Sequence, residues 1–240
     1  MNNLPIQYIA LVVCVFAALL RLPGAVRGQG RTVFFSLVLL AAAVGLSLDI
    51  FYDAVDGALG GVNLANLLVR FSLYAVFALL GLRMADAFSS SLVRRLIVGP
   101  FGIAILVITV SATLYFFVAS ELQGSSAGLR AFEVQSTVQQ YATVGRLYPA
   151  YIAACLVVPG LSAVLDGGAR TLHRIASGSL TAGFSVVVVY VVLRLMLMDL
   201  QQWDIILPFS AVLLTVLGLC LIWLSHTVNR RNRKSSNKLV

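Results

Sequence analysis

Seven long apolar runs alternate with short polar stretches along the chain, at roughly 5–20, 32–52, 64–82, 96–118, 147–165, 180–198 and 205–224. Most approach the ~20 residues that a helix needs to cross a bilayer. Where water cannot reach the backbone, each N–H and C=O must be satisfied within its own segment, so runs of this length are helices. The alternation of roughly ten-residue strands that marks a membrane barrel is absent. The pattern predicts an all-α fold: a polytopic membrane protein with seven transmembrane helices occupying residues 1–225. Composition agrees, because 60% of the 240 residues are hydrophobic and 11% charged. A soluble domain carries about 45–50% apolar and about 25% charged residues.

Charge then orients the helices. The first, third and fifth loops hold Arg21, Arg27 and Arg31, then Arg83, Arg94 and Arg95, then Arg170 and Arg174. The segment 226–240 adds Arg230, Arg231, Arg233, Lys234 and Lys238. The opposite loops hold only Arg130 and Arg146, with Asp53, Asp56, Glu121, Glu133 and Asp204. Basic loops stay cytoplasmic, so the expectation is an N-terminus outside, a C-terminus inside, and a plasma membrane as the location. The net charge of +8 is read as a topology signal. Its bases are spread over several loops without aromatic interleaving, so nucleic acid is not an expected partner. The expected partners are the lipid bilayer itself and anionic headgroups at the basic loops and tail. No positive charge precedes the first apolar run and no cleavage site follows it, so that run is expected to stay as a span.

One loop is long. Residues 119–146 are read as an outer loop, with a short interfacial helix near 129–141 that places Val134, Val138 and Tyr141 on one face. The seven spans also parse as three, one and three, with the fourth as an inverting linker. SWEET-type sugar transporters share that plan, although their in-span prolines are matched here only by Pro159.

Charges inside the apolar runs are the main clue to function. Arg70 falls about six residues into the third run, roughly 9 Å from its outer edge, and Arg194 lies roughly 7 Å below the outer end of the sixth. Asn63, Asn66, Arg70 and Tyr74 follow three- and four-residue steps and descend one helix as a polar stripe. Tyr190 stands four residues before Arg194, and Asp49 closes the second run at the same level. Asp199 joins Asp53, Asp56 and Asp204 at the mouth above. Intramembrane ionisable groups are functional candidates. Two arrangements are open. In one, Asp49 pairs with Arg70 or Arg194 and the set locks helices together. In the other, the arginines line an outward-facing polar pocket that binds an oxyanion, with Asp49, Asn63, Asn66, Arg70, Tyr74, Tyr190 and Arg194 as its wall.

No other chemistry is expected. No lysine lies in a run, and His173 and His226 fall in a basic loop and the tail. Cys14, Cys155 and Cys220 are odd in number, lie within runs and lack metal-ligand spacing, which predicts no disulfide, no metal and no cofactor. No nucleophile–base or phosphate-loop motif occurs, so an enzyme is not expected.

The segment LSLDIFYDAVDGALGGVNLANLLVRFSLY resembles part of a group of actinobacterial seven-helix membrane proteins described as transporters. The matching features are Arg21-Leu22-Pro23, Leu48-Asp49, Asp56 with Leu59-Gly60, and Asn63-Leu64, over the first third of the chain. The resemblance implies a seven-helix membrane protein and a transport role, without a substrate. The expected function is therefore binding or transport of a small, anionic solute. A membrane sensor or a structural subunit of a membrane complex is the alternative.

Overall fold

A computed structural model describes residues 4–236 except 197 and 199, with side chains placed over 5–225 apart from the same two positions. Asp199 and the side chains of the tail 226–240, with the headgroup contacts expected of them, lie outside the described residues. The elements are α1 (Leu4–Val26), α2 (Arg31–Gly45), α3 (Asp49–Ala58), α4 (Leu64–Ala87), α5 (Ser91–Val98), α6 (Pro100–Val118), a 3₁₀ segment (Ala127–Phe132), α7 (Ser136–Leu165), α8 (Thr171–Leu195) and α9 (Trp203–Ser236). Among the described residues there is no strand. Among the described residues six helices are long and apolar enough to cross a membrane, and α2 with α3 make a seventh only if that pair, bent by 95°, counts as one span. This architecture fits a multi-pass helical membrane protein.

The bend corrects the second predicted span. α2 has 15 residues, or about 22 Å, short of a hydrocarbon core of about 30 Å. It ends where the Ser47 hydroxyl donates to the Val44 carbonyl at 2.6 Å, which occupies an acceptor that the next helical turn would have used. Leu48 is extended and Asp49 opens α3, where a carboxylate complements the helix dipole. Three acids in the ten residues of α3 explain the turn, because burying them along the membrane normal would be costly.

Three other boundaries differ from the pattern. The fourth run is divided at Gly99-Pro100, with proline at the first turn of α6, where its missing N–H costs nothing. The amphipathic α5 buries Val93 and Ile97. The loop 119–146 is shorter than expected, because α7 begins at Ser136 and absorbs its second half. Val138 and Tyr141 are consequently buried, while Val134 is 94% exposed, so the three do not share an interfacial face. Finally, α9 continues unbroken through the start of the tail to Ser236.

We call the end of the bundle at which α1 begins its upper end. Six helices close a ring in the order α1, α2, α4, α7, α8, α9, and back to α1. The first three and the last three form the two halves of this ring, and α6 packs on α7 outside it. α6 has the inverse of a soluble pattern: Ile108 and Tyr115 are 67% and 68% exposed, and Thr109 and Thr113 are buried. Apolar groups outward and small polar groups at helix contacts are what a lipid solvent selects.

The lower half of the ring is packed tightly by small residues. A Cβ on Gly183 would stand 2.7 Å from the Thr215 hydroxyl, and one on Gly218 would stand 2.6 Å from Leu180 Cγ and 3.0 Å from the Ala176 carbonyl. These glycines let α8 and α9 approach at backbone distance. Around them Leu156, Leu180, Val216 and Leu219 form part of the core. Arg21 joins α1 to α9 at that level, donating to the Leu219 carbonyl at 2.8 Å and lying over the Trp223 ring.

Candidate functional site

The upper half of the ring encloses a cavity of about 350 Å³. Its top is organised by one buried carboxylate. Asp56, 0% exposed, accepts from the backbone N–H of Asn63 (3.0 Å) and of Ala65 (3.1 Å), and from the Ser125 hydroxyl (2.6 Å). Both oxygens therefore serve donors that the start of α4 leaves unpaired. Asn63 sits beside it with φ 61°, a conformation that asparagine tolerates better than most residues. Its side chain donates to the Gly124 carbonyl (2.8 Å) and accepts from Tyr52 (2.9 Å) and the Ser126 N–H (2.8 Å). This hub ties α3, α4 and the loop after α6 into a cap over the ring.

Under the cap, Arg70 and Arg146 line the same cavity from α4 and α7. Each lies over a tyrosine ring: Arg70 Cζ is 5.2 Å from the Tyr141 centroid and Arg146 Cζ is 5.7 Å from that of Tyr190. Tyr141 is buried and also donates to Asn66 Oδ1 at 3.0 Å, so one ring positions two of the polar residues of the wall. The Arg70 side chain passes directly over Gly145, where a Cβ would stand 2.9 Å from its Cδ, Nε and Cζ. Gly145 is thus the clearance that lets this guanidinium reach the cavity. Arg130, exposed at the upper rim, also lines it, so the cavity meets solvent there.

Among the described residues of the lining, Arg70, Arg130 and Arg146 stand against one acid, Asp204. Among the described residues neither Arg70 nor Arg146 makes an ion pair with a carboxylate. Asp204, the one acid of the lining among the described residues, pairs with Arg194 at 2.8 Å. A cation–π contact contributes about 0.5–2 kcal/mol, whereas partly desolvating an arginine in a membrane interior costs several kcal/mol. The wall therefore holds positive charge that stacking, and for Arg146 the Asp204 carboxylate of the same lining, only partly offset, and water or an oxyanion can supply the rest.

The seven residues expected to form the wall are distributed over three places. Asn66, Arg70 and Tyr190 line the cavity. Arg194 lies at its margin, paired to Asp204, and holds the end of α8 to the start of α9. Asp49 is exposed in the first turn of α3 and is engaged with neither arginine; the 95° bend carries it away from the bundle axis. Asn63 is consumed in the cap. Tyr74 bonds Thr113 of α6 at 2.8 Å and meets the Tyr148 ring edge-on. The polar stripe splits for a geometric reason. The part of α4 that faces the cavity is centred near Leu73, and at about 100° per residue Tyr74 lies a quarter-turn or more away from it, towards α6.

Arg146 and Arg130 are the wall residues that reading the loop as a loop conceals. The available signal was the absence of any Gly or Pro between Ser136 and Val144, ahead of an apolar run, which allows one helix to begin well before Leu147. Among the described residues no group of His, Cys, Asp and Glu could hold a metal ion. Comparison of the chain with protein-family models, with curated proteins and with solved structures finds no match.

Proposed function

We propose that this protein binds a small anionic solute in the upper cavity, from the outer side of a bacterial plasma membrane, with its N-terminus outside and its C-terminus in the cytoplasm. The observation that supports this most is the convergence of Arg70 and Arg146, from different halves of the ring, on one solvent-connected cavity with no carboxylate partner among the described residues. Paired guanidiniums present a fork of donors suited to a carboxylate or a phosphate. Tyr190, Asn66 and Arg130 add to the polar surface.

The tight α8–α9 packing at Gly183 and Gly218 favours a sensor over an open transport path as the second reading. α9 forms part of the cavity wall and runs on as one 34-residue helix, or about 51 Å, so a change at the cavity has a rigid element along which to act. The resemblance to transporters is compatible with either reading, since a transporter would need the lower half to open.

The test is a thermal-melting screen of the purified protein against phosphate, sulfate and small carboxylates, with Arg70→Met and Arg146→Met alongside. The expected result is stabilisation by at least one anion in the wild type and its loss in both variants. Variants that melt normally and keep the full anion shift would refute the site.

A further inference from the structure

The proposed anion site has an apolar extension, and on this we infer that its ligand is amphiphilic: an oxyanion head held by Arg70 and Arg146, with a single alkyl chain directed down the ring. The inference rests on the anion-site reading and adds the class of molecule. Three of the long wall helices carry polar groups above apolar ones. On α4, Asn66 and Arg70 are followed by Leu73, Val76, Phe77 and Leu80. Arg70 to Leu80 is ten residues, or about 15 Å of helix. On α8, which runs the other way, Tyr190 stands above Val187 and Phe184; on α9, Asp204 stands above Phe209 and Val212. Three independent helices therefore present polar groups in one upper layer and hydrocarbon below it, with Thr215 the polar exception near the floor.

A small inorganic anion does not account for this space. At about 30 Å³ per water, 350 Å³ is on the order of a dozen waters, and a phosphate with its partners needs only the upper layer. The lower part is too apolar to hold water well, as apolar cavities stay dry or take up apolar ligands. An alkyl chain fills it without stranding a polar group. The Gly183 and Gly218 contacts close the floor, so the ligand enters head-last or from the side and stops. A chain ending in the cavity, and not a long polymer, is what the volume admits.

The experiment holds the full-length protein in amphipol without free micelles and measures melting-temperature titrations with inorganic phosphate and with butyl, hexyl and octyl phosphate. Octyl glucoside serves as the uncharged control. The expected result is an apparent affinity that rises roughly fourfold for each methylene accommodated, with octyl phosphate far ahead of inorganic phosphate and octyl glucoside inert. Leu73→Trp, which fills the space one turn below Arg70, should flatten that dependence; if it fails to fold, Val212→Phe serves instead. Addition of phosphatidic acid in a parallel titration separates sources: absence of competition with octyl phosphate assigns a single-chain amphiphile, and competition assigns a two-chain membrane lipid and overturns the single chain. Equal affinity for inorganic and octyl phosphate would overturn the amphiphile while leaving the anion site standing. No stabilisation by any of the anions, in a protein that melts cooperatively, would overturn both.

Discussion

Gly145→Ala separates the cavity from the fold that carries it. The substitution adds one methyl group at a point 2.9 Å from Cδ, Nε and Cζ of Arg70, closer than a methyl carbon tolerates, so something must move. The obstacle is the far end of a flexible side chain and not backbone, so the helices α4 and α7 need not part. For the fold, replacing glycine by alanine within α7 gains roughly 0.5–1 kcal/mol of helix propensity. Against that, Arg70 leaves the Tyr141 ring and forfeits a contact worth about 0.5–2 kcal/mol. The two nearly cancel, and the melting temperature should change by no more than a few degrees. For the ligand the terms do not cancel. A hydrogen bond to a charged group contributes about 1.5–3 kcal/mol, which is about ten- to hundredfold in affinity. The assay is a pair of measurements on the same preparation: thermal melting without ligand, and titration with the best anion of the screen. The expected result is near-normal melting with anion affinity down at least tenfold. A variant that binds as the wild type does but melts much lower would show that Gly145 serves helix packing and that Arg70 is not a ligand group.

Asp204→Asn removes the acid of the cavity wall, and on a Coulomb estimate of about 0.5–2 kcal/mol for charges several ångströms apart it should strengthen anion binding on the order of tenfold, opposite in sign to Arg70→Met. The Arg194 and Asp204 side chains are partly exposed, at 31% and 23%, so water can reach the freed guanidinium and the variant should stay folded; a titration showing weaker binding would contradict the cavity's polarity. Asp56→Ala strands the backbone donors of Asn63 and Ala65, at about 1–3 kcal/mol each, and should speed protease cleavage within 119–135, read by mass spectrometry of the fragments. Gly218→Ala pushes against Leu180 and the Ala176 carbonyl and should lower stability by about 1–3 kcal/mol, whereas Gly57→Ala, with nothing within 4 Å of the added carbon, should be neutral or stabilising by roughly 0.5–1 kcal/mol; similar melting for the two would contradict the close α8–α9 approach.

The sequence by itself determined that the chain is helical and lipid-compatible, because apolar runs near the length of a bilayer leave the backbone no other way to satisfy its hydrogen bonds. It also singled out Arg70, whose charge is conspicuous in an apolar run, and the four-residue step that links it to Asn66. Where helices begin and bend was less legible. Ser47 ends α2 through one local hydrogen bond, and no average over a hydrophobic window registers a single hydroxyl. The run 136–146 has polar residues on every side until Tyr141 and Val138 find a buried place against α4 and the end of α6, so its helix is recognised only once its partners are present. Which arginine would be paired was decided wholly by tertiary structure. Depth along a helix follows from counting residues, but the angle at which a side chain meets its neighbours depends on how the helices cross. That crossing gave Asp204 to Arg194, turned Tyr74 towards Thr113, and brought Arg146 from a segment read as loop to the side of Arg70.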